Sequence, residues 1–242
     1  MPWTSLRNRF NERVYGITQL VPEGIDALAD LHQEKFPALD DETGWDGGAV
    51  FHLIDSLGQG TEMNKLMRGF DILVCDDAGD NEVADFIAAD SATRRAVLIH
   101  AKAARETTLL SASAFAEVCS QAVKNLDILT PFSLVEPPNL SLWGGKWRAS
   151  WKKVPQLVSR RIRLGVGTAN ELWKKIQAII RDPTTTREVW IVVGSTFSKN
   201  EFREAANKAK QPPEIIQILY SLQSTWGSVA SIGARLRVFY SP

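Results

Sequence analysis

Three short apolar runs follow one another between Phe70 and Ala103, and their crowding constrains the fold more than any other feature of the sequence. FDILVC (Phe70 to Cys75) is bounded by Gly69 and the turn-rich DDAGDN. VADFIAA (Val83 to Ala89) follows directly, so these two runs predict a hairpin. RAVLIHAKA (Arg95 to Ala103) is a third strand, reached through the turn at Asp90 to Thr93. A helix is then predicted over Ser111 to Leu126, because Phe115, Val118, Cys119, Ala122 and Leu126 form one helical stripe.

The flanks supply covering elements. Helices are expected over Val21 to Phe36, Ala49 to Leu57, Glu62 to Met67, Glu171 to Arg181, Ser198 to Ala209 and Ile215 to Leu222. EVWIVVGS (Glu188 to Ser195) and ARLRVFY (Ala234 to Tyr240) read as further strands, while the opening, Trp3 to Leu20, shows no period. This order predicts an α/β fold, a mixed central sheet with flanking helices. One domain is expected over 1–242, with an N-terminal helical part (1–68), a core (69–130) and a basic part (140–242) that completes the sheet. EPPNLSLWGG reads as the linker between the last two.

Several function classes are excluded. No run of eighteen apolar residues predicts a membrane span, and the first residues lack a signal's apolar core. The two cysteines, Cys75 and Cys119, are too few for a zinc site or a disulfide framework, and a reducing cytoplasm fits them. GVG at Gly165 to Gly167 has no strand–GxGxxG–helix unit around it, and no P-loop, HExxH or GxSxG occurs.

Charge is balanced overall but not locally. Val21 to Asp90 holds seventeen acidic and three basic residues; Trp143 to Lys210 holds fifteen basic and five acidic. The basic half is suited to phosphate contacts and the acidic half to a divalent cation, although mutual attraction of the halves explains the pattern equally well. Lys146, Arg148, Lys152, Lys153, Arg160, Arg161 and Arg163 are the phosphate-contact candidates. Trp143, Trp147 and Trp151 recur every four residues among these cations. Such aromatics can stack bases, but a helical core stripe is the favoured reading.

One constellation carries chemistry. Alternation puts His100 and Lys102 on one face of the third strand, and Asp85 lies mid-strand on its neighbour between Ala84 and Phe86. A carboxylate among apolar neighbours is costly unless a cation or donor satisfies it. Asp76 and Asp77 are assigned to the turn, which favours such residues in any case.

The segment ADFIAADSATRRAVLIHAK resembles the PD-(D/E)xK nuclease superfamily, in which an Asp on one strand is followed by a (D/E)xK pair on the next. The resemblance covers Phe70 to Leu126. It implies a restriction-endonuclease-like sheet and a metal-dependent nuclease acting on DNA, with Mg²⁺ or Mn²⁺ as cofactor. Asp85 would bind the metal, Lys102 would position the attacking water and stabilise charge on the phosphate, and Gln121 would orient water or substrate. A helicase or another module of a bacterial defence or repair system is the implied partner. His100 stands where the family has Asp or Glu. Either it is a metal ligand or base, or a carboxylate from Asp55, Asp76, Asp77 or Glu82 completes the site, or catalysis is lost and nucleic-acid binding or an assembly role remains. An unrelated α/β enzyme using the cluster for proton transfer is the third class.

Overall fold

The computed structural model describes residues 23–36, 44–78, 81–103, 110–133, 135–148, 157–158, 160–195 and 197–241. Strands β1 (Glu23–Gly24), β2 (Ile72–Cys75), β3 (Phe86–Asp90), β4 (Arg95–Lys102), β7 (Ile162–Leu164), β8 (Thr186–Val193) and β9 (Arg235–Tyr240) form a seven-stranded sheet ordered β1-β9-β8-β4-β3-β2-β7. β5 (Trp147–Arg148) and β6 (Leu157–Val158) pair separately. The hairpin and the third strand are as expected: β2 and β3 are antiparallel, as are β3 and β4. β8 then joins β4 in parallel, and β9 joins β8 in parallel. A parallel neighbour demands a crossover, which the helices between these strands supply.

The helices cover both faces. α3 (Ala112–Lys124), α4 (Ala169–Arg181) and α6 (Pro213–Ser231) bury Val118, Ile176 and Ile218 with Leu98, Ile191 and Val238 of the sheet. On the other face α1 (Val50–Asp55) and α2 (Asn64–Met67) bury Phe51 and Met67 with Phe86, Ile99 and Trp190. Alternate residues of β4 thus serve two cores, which explains a strand apolar nearly throughout. α5 (Lys199–Ala206) opens on Ser198, whose side chain accepts the Glu201 N–H, as the spacing predicts. α4 has the full reciprocal cap between Thr168 and Glu171.

Three local expectations fail. No α-helix forms among the described residues of 21–36; β1 pairs with β9 there, and a 3₁₀ helix (Asp26–Asp30) follows. The apolar spacing resembles helical period because residues 25, 28 and 31 all plug one core. EPPNLSLWGG packs rather than links, since Leu140 and Trp143 are core residues. Trp143 and Trp147 lie on no common helix: Trp143 ends a 3₁₀ turn (Leu140–Leu142), and Trp147 is in β5.

Candidate functional site

The site forms where β2, β3 and β4 reach one end of the sheet. Asp76 and Asp77 follow the last residue of β2, and both are buried. The Asp76 carboxylate accepts the Trp143 indole N–H at 2.7 Å and the Val83 amide at 2.8 Å. Asp77 accepts the Trp147 indole N–H at 2.6 Å. The two tryptophans therefore donate to two adjacent carboxylates, and the turn assignment for Asp76 and Asp77 is corrected: they are internal acceptors. Asp85 precedes β3, and its Oδ2 accepts the Ala101 amide of β4 at 2.7 Å. A carboxylate oxygen here replaces the backbone carbonyl that the ladder would otherwise offer. Glu82 donates a hydrogen bond to Asp77. Oxygens of Asp77, Glu82 and Asp85 all lie within 4.8 Å of one another.

Cations reach this cluster from a strap, residues 31–36, laid over the ends of β4 and β8. The Ser195 amide donates to the Leu31 carbonyl at 3.1 Å, and the Val50 and Phe51 amides donate to Gln33 and Glu34. Gly194 makes the approach possible, because a Cβ there would lie 2.4 Å from the Leu31 carbonyl oxygen. The strap carries Lys35, whose Nζ is 2.7 Å from Asp77 Oδ1 and 3.4 Å from Glu34 Oε1. Glu34 Oε2 is 3.4 Å from Lys102 Nζ, which also donates to Glu117 of α3 at 2.8 Å. Charge thus alternates from Asp77 through Lys35, Glu34 and Lys102 to Glu117.

Burial and neighbours set the protonation states. Burial raises the carboxyl of Asp85 far above its ordinary range, although Lys35 opposes it. Burial, then hydrogen bonding and repulsion from Asp77, push Glu82 up to about 7. Asp77 goes the other way: burial would raise it, but Lys35 and the hydrogen bonds from Glu82 and Trp147 hold it below the usual range. Asp76 is pushed up to about 6 by burial. Lys35 and Lys102 are both raised, because neighbouring carboxylates outweigh their burial. Two acids of the cluster therefore favour protons, while one stays charged against Lys35. This is the state expected of carboxylates crowded together without a multivalent counter-ion.

The residues expected from sequence divide clearly. Asp85 is a member of the carboxylate cluster, whereas Lys102 pairs with Glu34 and Glu117, and among the described residues no ion pair joins Asp85 to Lys102. Gln121 lies one turn beyond Glu117 on α3, half-buried. His100 is not part of the carboxylate cluster. It is buried, its Nε2 has no hydrogen-bond partner among the described residues, and burial depresses its pKa to about 3. Lys102 Nζ meets Glu34 and Glu117 rather than the cluster acids themselves. Asp77 and Glu82, two of the acids considered in place of His100, lie in the cluster with Asp85, while Asp55 forms a two-pronged pair with Arg163 at 2.6 and 2.7 Å.

The basic candidates also separate. Arg161 is buried and donates to the carbonyls of Cys75 and Asp77, so it braces the end of β2 and is corrected as a phosphate contact. Arg163 is held by Asp55. Lys146, Arg148 and Arg160 are exposed. Lys152, Lys153 and Trp151 lie outside the described residues. Buried Trp143 and Trp147 present no face to a base. Glu34, Lys35 and Glu117 were not singled out by sequence; the one available signal was Lys35, a rare cation within the acidic half.

Chemically, three convergent carboxylates beside two ammonium groups offer hard oxygen ligands for a divalent ion and positive charge for an anionic substrate. Among the described residues no helix is long and apolar enough to cross a membrane. Comparison of the chain with family models, curated proteins and solved structures gives no match.

Proposed function

We propose that the protein is a metal-dependent phosphodiesterase acting on DNA, built on a restriction-endonuclease-like sheet. One observation carries this reading: the Asp77, Glu82 and Asp85 oxygens within 4.8 Å of one another, at the end of an antiparallel meander whose third strand ends in Lys102. The helix that follows the third strand fits the resemblance. Asp77, Glu82 and Asp85 would hold the ion, and Mg²⁺ or Mn²⁺ suits an all-oxygen set. When bound, such an ion polarises a phosphate and acidifies a water. Lys102, oriented by Glu34 and Glu117, places its ammonium beside the reacting group and stabilises charge that builds on phosphate oxygens. Asp85 keeps its geometry through the Ala101 amide. Lys35 holds the cluster together by supplying the positive charge that Asp77 requires.

A second reading is a nucleic-acid-binding or assembly domain without catalysis. Lys35 favours it, since its ammonium, 2.7 Å from Asp77, already supplies a cation to the cluster. One experiment separates the two. Linear and supercoiled DNA are incubated with the full chain, with Mg²⁺ or Mn²⁺, beside Lys102→Ala and Asp85→Asn. Metal-dependent cleavage that falls by roughly 10²-fold or more in each variant supports the enzyme. Asn at position 85 still accepts the Ala101 amide, so this variant retains the local backbone contact. Binding without cleavage in both metals selects the second reading, and absence of both activities removes both.

A further inference from the structure

The opposite end of β4 carries a second charged site. A cavity of about 380 Å³ opens between α2 and the strand starts, and Lys65, Arg68, Gly69, Asp90, Arg95 and Thr186 are among its lining residues. It stands seven residues from Lys102 along β4, about 23 Å at the rise of an extended strand. It is therefore separate from the carboxylate cluster, and the inference does not depend on the reading of that cluster.

The charges in the cavity do not cancel. Among the lining residues three cations face one carboxylate, Asp90. Its Oδ1 accepts the Thr93 amide at 2.9 Å, and hydrogen bonds from Thr93 and Ala92, with attraction to Arg95, outweigh its burial and lower its pKa. Buried Glu188, behind the cavity, also attracts Arg95. Lys65 pairs with Glu62 outside the cavity, at an exposed site where such pairs contribute little. Arg68 is exposed, and no ion pair engages it among the described residues. Arg95 is the prearranged member. Its guanidinium donates to the Leu66 carbonyl and lies over the Phe70 ring, 4.4 Å from the centroid, with Trp190 at 5.9 Å. Its Nε is buried and has no hydrogen-bond partner among the described residues. Stacking fixes the plane of the guanidinium, and a fixed planar fork of donors suits tetrahedral oxyanions. The cavity has the size of an ordinary small-molecule pocket.

We propose that this cavity binds a phosphomonoester, with Arg95 and Arg68 holding the phosphate. Free phosphate and the phosphate of a small nucleotide share this chemistry, so the test distinguishes them. The full chain is titrated calorimetrically at fixed ionic strength with inorganic phosphate, with adenosine monophosphate and with adenosine. The phosphate-bearing probes bind saturably and adenosine does not. Tighter binding of the monophosphate than of phosphate identifies a nucleotide ligand, and equal binding identifies the bare anion. Arg68→Gln weakens binding by roughly tenfold, the effect of one lost charge-assisted contact. Because Arg68 is exposed, its folding serves as the reference if Arg95→Gln is unstable. Asp85→Asn leaves the affinity unchanged. Absence of saturable binding by either phosphate probe overturns the proposal, as does binding that is unaffected by Arg68→Gln.

Discussion

At Glu82, burial and the neighbouring Asp77 carboxylate act in the same direction, so the folded protein binds a proton there more tightly than the unfolded chain does. The sign follows from linkage. A carboxyl raised from its ordinary value to about 7 favours folding while protonated, and that contribution is lost as pH rises from about 4.5 through about 7. Asp76, raised to about 6, adds to the same trend, and Asp77, which is lowered, opposes it only in acid. Buried His100, held at about 3, opposes this trend below its ordinary value of 6.5. Without divalent ions, the fall in thermal stability should therefore appear between about pH 6.5 and pH 8, by on the order of 1 kcal/mol once partial exposure is discounted. Glu82→Gln keeps the donor to Asp77 and should flatten the profile. A profile unchanged by that substitution excludes Glu82 as its source. A bound divalent ion requires the deprotonated acids, so calorimetric Mn²⁺ affinity should rise across the same window, and Asp85→Asn should weaken it roughly tenfold or more. Asp85 and Lys102 were legible in the sequence because strand alternation and a polar residue in an apolar run are local signals. Glu34 and Lys35 were not, because their position depends on Leu31 meeting Ser195, more than 160 residues away.

Among the elements, the sheet strands were the most readable, since apolar runs between turn residues specify strands almost alone. The helix expected at 21–36 shows the opposite case: pairing of β1 with β9 outweighs an apolar spacing that fits either period. Spacing also misled at Trp143 and Trp147, where an interval of four reflects two indole donors meeting Asp76 and Asp77 rather than a helical turn. Two element-scale predictions follow from close contacts. Thr168→Ala removes the hydroxyl that caps α4 and the acceptor side of its reciprocal pair with Glu171. It should cost about 1 kcal/mol in urea denaturation, with little change in the denaturant slope. Gly194→Ala places a methyl group against the Leu31 carbonyl at 2.4 Å and against Ala103 at 3.0 Å. The strap must lift, so the variant should lose roughly 1–3 kcal/mol of stability and, with Lys35 displaced, lose Mn²⁺ affinity as well. Full affinity in a folded Gly194→Ala protein would show that the strap is dispensable for the cluster.

For the whole molecule, the sheet order places β4 and β8 in the middle, covered on both faces, with β1 and β7 at the edges. Amide hydrogen exchange should follow that order, slowest in β4 and β8 and faster by roughly 10²-fold or more in β1 and β7. Comparable protection at edge and centre would contradict the topology. The mixed α/β architecture could be read from element order, whereas the division of the basic half could not. Arg161 and Arg163 became internal braces, and only a structure distinguishes a cation that faces solvent from one that holds a strand end. The strap has one further consequence, which concerns time rather than geometry. Its anchor, Ser195, belongs to a segment translated long after the strap and all three carboxylates have emerged. During synthesis, then, the acids wait while more than a hundred further residues are added before a fixed lysine stands beside them. Protons or ambient cations must fill that role until β8 and the Ser195 that follows it are laid down and the strap seats against them.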